Sequence, residues 1–161
     1  MKTTTLLAAL VAFVFVLPVS PSMACQSLEC QENLARLLKA PPKKGKCPRC
    51  NLYHAVIRGV RLHEADLRGV DLRGADLRDV SFHLANLRGA MLINAKLDGV
   101  HFSYADLRGA DLRYTVLRGA NLAGANLTGA KMPSNLTGVR FCNTTMPDGK
   151  VRNPSKRPYC Y

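Results

Sequence analysis

From Leu52 to Met132 every fifth residue is large and apolar. Seventeen consecutive positions obey the rule: thirteen are Leu, and Ile57, Phe82, Phe102 and Met132 complete the set. Two residues before each stands a small residue, Ala in eleven units, Val in four, and Cys50 and Thr115 in the other two. Two residues after the centre, Gly recurs nine times between Gly59 and Gly129. A period of five excludes both common regular structures. On an α-helix of about 3.6 residues per turn, successive Leu residues rotate by about 140° and leave no apolar stripe. On a continuous strand, odd spacing throws them to opposite faces.

Within one unit the pattern alternates, as in Ala65-Asp66-Leu67-Arg68-Gly69: small in, polar out, large in, polar out. That is a very short strand, and Gly then supplies a corner because it accepts positive φ without steric cost. Strand and corner, repeated, let the chain close on itself as a coil. Coils stack through backbone hydrogen bonds about 4.8 Å apart. None of the nine prolines lies between Arg49 and Met132, as a ladder that uses each N–H requires. The irregularities give the coil length. Val60, Val80 and Val100 recur at twenty residues, as do Phe82 and Phe102, His63 and His83, and Gly69, Gly89, Gly109 and Gly129. Four units therefore make one coil, and like stacks on like. At roughly 1.5–3 kcal/mol per buried Leu, each added coil extends a dry core and stabilises its neighbours.

These units resemble those of the pentapeptide-repeat family, which centre on Leu or Phe with Ala two residues before. The resemblance covers roughly residues 50–146. It implies an all-β fold, a right-handed quadrilateral β-helix with four repeats per coil. Thr115 departs from the pattern at a small position, and Pro133 ends the strict phase. Beyond it Leu136, Phe141 and Met146 continue at steps of five, one residue out of register, so a bulge or loosened corner is expected over Lys131 to Asn135.

The flanking segments read differently. Lys2, an apolar run from Leu6 to Leu17 and the small-x-small tripeptide Ser22-Met23-Ala24 make residues 1–24 a signal peptide, cleaved after Ala24. The run is shorter than the roughly 20 residues a membrane span needs, so no transmembrane segment is expected in the mature chain. The mature chain is then periplasmic or secreted. Lipid anchoring through Cys25 is a lesser alternative, because Ser22 stands where a lipoprotein signal usually has Leu. Residues 25–46 form an N-terminal helical cap: Ser27 caps a helix from Leu28 to about Ala40, Cys30, Leu34, Leu37 and Leu38 share one face, and Pro41 and Pro42 stop it. Residues 47–146 form the β-helix and 147–161 a capping tail. Uncovered, the two ends would offer unpaired strand edges to other chains. Cys25, Cys30, Cys47, Cys50, Cys142 and Cys160 are even in number, and an oxidising compartment makes them disulfides, with 15 pairings open. Cys142 with Cys160 is the expected staple for the tail.

Several groups invite a chemical reading. Cys47-Pro48-Arg49-Cys50 has the spacing of a thiol–disulfide redox motif, but Cys50 falls in phase with the inward small residues, so a structural bridge is favoured. Zinc held by these two with Cys25 and Cys30 yields to disulfides on the same compartment argument. His63 and His83 stack on adjacent coils with His101 near them. Only Glu64 offers to complete a metal set, so solvated histidines are favoured over a metal binder. Outward arginines form columns, Arg68, Arg88 and Arg108 in one and Arg58, Arg78 and Arg118 in another. Asp66, Asp76 and Asp106 stand two residues from Arg68, Arg78 and Arg108, which favours self-compensation over a polyanion track.

The formal net charge is +12, and the excess sits at the ends. Residues 25–50 carry six positive and two negative groups, residues 51–132 eleven and eight, and residues 133–161 five and one. Lys43, Lys44, Lys46, Arg49, Lys156 and Arg157 are therefore the candidate contacts for an anionic partner. No phosphate loop, serine elbow or carboxylate pair stands out. A coil plugged with Leu and Ala has no pocket, so neither catalysis nor a cofactor is expected. Some members of the family imitate duplex DNA and bind topoisomerases, a role that needs an acidic surface in the cytosol. A basic, exported chain is not expected to share it. The expected function is a structural or interaction module for an anionic envelope component or an unknown protein. Asn126, Asn135 and Asn143 each begin an N-x-T sequon.

Overall fold

The computed structural model describes residues 28–39 and 45–153. Expectations for residues 1–24, Cys25, Ser27, Pro41, Pro42, Lys43, Lys44, Lys156, Arg157 and Cys160 fall outside the described residues.

Parallel bridges join the residue before each central side chain to its counterpart twenty residues on. They run from Lys46 with Asp66 and Asn51 with Asp71 through to Asp111 with Lys131. The hydrogen bonds alternate in direction: Leu67 N donates to Asn86 O at 2.8 Å, and Asn86 N donates to Ala65 O at 2.8 Å. The chain is thus a four-sided β-helix with twenty residues per coil. Its straight sides are shorter than the expected strands, one bridging residue each, because the turn begins at once. Val70 N donates back to Leu67 O, closing a turn with Arg68 and Gly69 at its centre.

At every corner from residue 49 to residue 129, φ lies between 56° and 73°. Nine of these corners are Gly. The other eight are Arg49, His54, Glu64, Asp79, Leu84, Asn94, Tyr104 and Tyr114. A left-handed residue in the third position is what a type II turn requires, so the ladder imposes it even on Leu and Tyr, which resist it.

The central and small residues form one buried cluster along the axis. Phe82 and Phe102 stack with ring centroids 5.3 Å apart and planes 12° from parallel. Thr115 tolerates its inward position because its Oγ1 donates to Leu112 O at 2.7 Å, satisfying the buried hydroxyl.

Both ends depart from the repeat. α1 (Leu28–Lys39) places Cys30 and Leu37 in the core cluster and packs Leu34 against it. Leu38, expected on that face, is exposed. At about 100° per residue it lies about 80° around the helix from Cys30. At the other end Asn121 pairs with Arg140 and Asn126 with Thr145, nineteen residues apart. Of the two expectations for Lys131 to Asn135, a bulge or a loosened corner, the pairing excludes the bulge: the last coil is one residue short, not one residue long. Pro133, with φ fixed and no N–H to give, sits at the shortened corner. β1 (Thr144–Thr145) then pairs antiparallel with β2 (Val151–Arg152). Thr144 takes an inward place, its Oγ1 donating to Leu122 O at 2.7 Å. The Arg152 guanidinium lies 4.6 Å from the Phe141 ring centroid.

Cys47 and Cys50 are joined in a disulfide, Cα atoms 5.3 Å apart. Cys30 and Cys142 are also disulfide-bonded, with partners outside the described residues.

Candidate functional site

A filled interior leaves the chemistry outside, on four faces. The first is centred on Leu67, Leu87 and Leu107, the second on Leu72, Leu92 and Leu112, the third on Leu77, Leu97 and Leu117, and the fourth on Leu62, Phe82, Phe102 and Leu122. Strand geometry points residues two apart to the same side, so the polar residues flanking a centre meet.

On three faces they meet as ion pairs. Arg68 donates from Nε and Nη2 to the two Asp66 carboxylate oxygens at 2.7 Å each. Arg108 with Asp106, Arg73 with Asp71 and Arg113 with Asp111 repeat this two-pronged grip. Bonds from the guanidinium hold Asp66, Asp106 and Asp111 below the ordinary carboxylate range. Burial pushes Asp71 and Asp76 upward, yet their arginine bonds prevail. Asp76 goes furthest, because it accepts from Arg78 on its own coil and from Arg58 on the coil before. The arginine columns are thus largely self-compensated. Arg118 stands at a looser 3.8 Å from Asp98. The Arg88 backbone N–H donates to Asn86 Oδ1, and among the described residues its guanidinium is in no ion pair within 4.0 Å.

The fourth face lacks this pairing. Before the centre the other faces carry Asp66, Asp71, Asp76, Asp106 and Asp111 among Asn, Lys, Met and Val, whereas this face carries Arg61, Ser81, His101, Asn121 and Arg140. After the centre come His63, His83, Ser103 and Ala123. His63 Nε2 and Ser81 Oγ are 2.8 Å apart. The His63 and His83 rings meet edge-on at 5.6 Å, and His83 meets Tyr104 edge-on at 5.8 Å. The three rings form a ladder up one margin. Among the described residues no three of His, Cys, Asp or Glu are grouped to hold a metal ion. The substitution of Arg, Ser, His and Asn for Asp down one column was visible in the sequence. It shows only when every fourth unit is compared.

The remaining candidates are dispersed. Cys47 and Cys50 flank a corner, not the helix N-terminus that activates a redox thiol, and both are buried. Lys46 is exposed on the first side. Arg49 is a left-handed corner whose Cγ lies above Gly69. A notch of about 540 Å³ beside the terminal hairpin is lined by Met146, Pro147, Val151 and Arg152 among others.

The family model for pentapeptide repeats matches eight copies, over residues 45–74, 65–103 and 101–133, which is more than half of the chain. The chain belongs to the pentapeptide-repeat family. Among solved structures it is similar to HetL, a pentapeptide repeat protein involved in heterocyst differentiation regulation from the cyanobacterium Nostoc sp. The identity is 38% and the TM-score 0.64, with 67% of this chain and 52% of that chain covered. The chain therefore spans about half the length of HetL. It is also similar to Rfr23 from the cyanobacterium Cyanothece, at 26% identity and TM-score 0.57 over 72% of this chain and 98% of that one. QnrB1, a plasmid-mediated fluoroquinolone resistance protein, shares the fold at 20% identity and TM-score 0.54, covering 64% and 56%. No curated protein sequence matches the chain. These pentapeptide-repeat relatives carry the right-handed quadrilateral β-helix to this chain.

Proposed function

We propose that this protein is an exported, non-enzymatic rod that works by presenting its surface to a partner. One observation supports this above the others: the axis of the described coils is filled by Leu, Phe, Val and Ala, which leaves the outer faces as the surface these residues present. On this reading α1 and the terminal hairpin cap the open ladder edges, and the disulfides fasten the caps. Export is supported by the signal-like segment and by the disulfides, which persist in oxidising compartments. No helix among the described residues is long and apolar enough to cross a membrane.

The partner is an anionic envelope component or a protein, met first through the basic ends. DNA mimicry is not part of the proposal, since three faces carry neutralised pairs and the ends carry net positive charge. Retention of the mature protein on an anionic polymer should fall steeply with salt, because exposed charges are screened beyond about 10 Å at 0.1 M. Replacing Lys43, Lys44 and Lys46 with Gln should weaken it. Salt-insensitive retention, or turnover in an insulin-reduction assay lost with Cys47→Ala, overturns the proposal.

A further inference from the structure

We infer that the unit Tyr114-Thr115-Val116-Leu117-Arg118 is a docking point for an acidic protein segment, one that offers a carboxylate close to a large apolar side chain. The inference rests on the proposed function and names a protein as the partner and the side of the rod as its contact. Two coils earlier on the same face the unit reads Gly74-Ala75-Asp76-Leu77-Arg78. Here Tyr replaces the corner Gly, Thr the small Ala and Val the outward Asp. Thr115 remains inside, but the other two changes place apolar surface outside: Tyr114 is 73% exposed and Val116 53%. Tyr114 is held at φ 60°, a corner that Gly would occupy without strain. Tyr104, also exposed, lies against Gly124 and meets His83 edge-on, so its ring serves the rod itself. Among the described residues the Tyr114 ring meets no other ring.

Val116 also decides what Arg118 can do. Asp76, at the matching position, accepts both prongs of Arg78 from two residues away. Arg58, with Val56 in place of such an Asp, crosses to Asp76 on the following coil. Arg118 has neither recourse. Val116 stands two residues before it, and in the short last coil Asn135 and Thr137 flank the matching centre, Leu136. Asp98 on the preceding coil stays 3.8 Å from Arg118 Nε, and the Arg118 side chain is 85% exposed. Its guanidinium is thus left able to take a carboxylate with two parallel bonds, the strongest form of that pairing.

The surroundings favour an acidic partner. Lys96, bridged to Val116 from the preceding coil, is exposed and joins no ion pair among the described residues. From residue 112 to residue 147 the chain has no Asp or Glu, while Arg113, Arg118, Lys131 and Arg140 fall in that stretch. Asp98 and Asp111 reach these cations from the side of the earlier coils. A polyanion without apolar groups would answer the charge and leave Tyr114 and Val116 in water. A lipid surface calls for a broader apolar face than two side chains. A protein segment with Asp or Glu near a large apolar residue answers both, and Tyr and Arg are the side chains that most often anchor such contacts.

The test selects a random-peptide phage library on the immobilised protein and titrates the enriched peptides, once synthesised, by fluorescence polarisation. Two variants restore the repeat. Tyr114→Gly returns the corner glycine, and Val116→Asp gives Arg118 the neighbour that Arg78 has. Both should keep or raise the unfolding midpoint, so lost binding is not lost fold. Enriched peptides should be net acidic and carry an aromatic or large aliphatic residue. They should bind Tyr114→Gly/Val116→Asp at least about tenfold more weakly than wild type. Arg118→Gln should weaken them too, whereas Val116→Ile and Lys46→Gln should leave them unchanged. Peptides without acidic residues, equal binding to the double variant, or no enrichment over the bare support overturn the inference. Peptides that need Lys46 and not Val116 overturn it and leave the basic-end reading standing. Phosphatidylglycerol vesicles that bind wild type and not the double variant point to a lipid surface and overturn it as well. Absence of enrichment together with salt-insensitive retention on anionic polymer overturns the proposed function along with it.

Discussion

The middle coils and the last coil use the same kind of side chain to different effect. Leu87, Leu92, Leu97 and Phe102 are fully buried, each with a coil above and a coil below. Met132, Leu136, Phe141 and Met146 hold the matching positions of the last coil and are only partly buried. Stacked repeats gain stability from their neighbours, so a terminal coil receives about half of what a middle one does. The end compensates with parts the repeat lacks: the Thr144 hydroxyl bond, the β1–β2 hairpin, Arg152 on Phe141 and the bridge at Cys142. Identical repeats suffice in the interior of a solenoid, and its ends need individual chemistry.

The sharpest way to break that contrast is to empty matching positions. Leu87→Ala should cost about 3–5 kcal/mol in denaturant unfolding, and Leu136→Ala less than about half as much. Equal losses would mean that the tail covers the last coil as completely as a further coil would.

A second pair contrasts a buried carboxylate with an exposed one. Asp76 is 6% exposed and holds two arginines, whereas Asp148 stands on the hairpin at 3.9 Å from Lys150. Asp76→Asn should cost about 1–3 kcal/mol near pH 7 and Asp148→Asn less than about 0.5. The Asp76 carboxyl ionises at lower pH in the folded chain than its ordinary value of 3.8. Its contribution is therefore complete above that value and is lost as pH falls below it toward the folded pKa. Unfolding midpoints of wild type and Asp76→Asn measured from pH 6 downward should converge on the acid side. Curves that stay parallel would remove the ion pair from the explanation.

Corners give the third contrast. Gly124 has φ of 68° with the Tyr104 ring lying against the place a Cβ would occupy, whereas Gly129 has φ of 69° and open space. Gly124→Ala should cost about 2–3 kcal/mol and Gly129→Ala about 1, with Tyr104→Ala relieving the first and not the second. The smallest effect has the opposite sign. Leu84 is an exposed, left-handed corner, so Leu84→Gly should raise stability by up to about 1 kcal/mol, read as a higher thermal midpoint.

The coil was legible because its rule is local and repeated. Spacing of five fixes in and out, and spacing of twenty fixes which residues stack, so the Phe82–Phe102 contact followed from numbers alone. The slip after Pro133 was legible in the sequence, since the step from Met132 to Leu136 is four residues and not five. The pairing of Asn121 with Arg140 shows that the coil closes over nineteen residues rather than absorbing the loss in a broken ladder. The Arg58 bond to Asp76 was not legible, since it spans eighteen residues and depends on how a long side chain crosses between coils.

The sequence by itself determined a four-sided coil, a dry aliphatic axis and outward Asp–Arg neighbours, because each follows from alternation and steric fit within a few residues. Tertiary structure decided which corners are forced left-handed without Gly, how far the end helix engages the first coil, and that Arg58 reaches across to Asp76 on the next coil. Those depend on what lies one coil away, a distance short in space and twenty residues long in the chain.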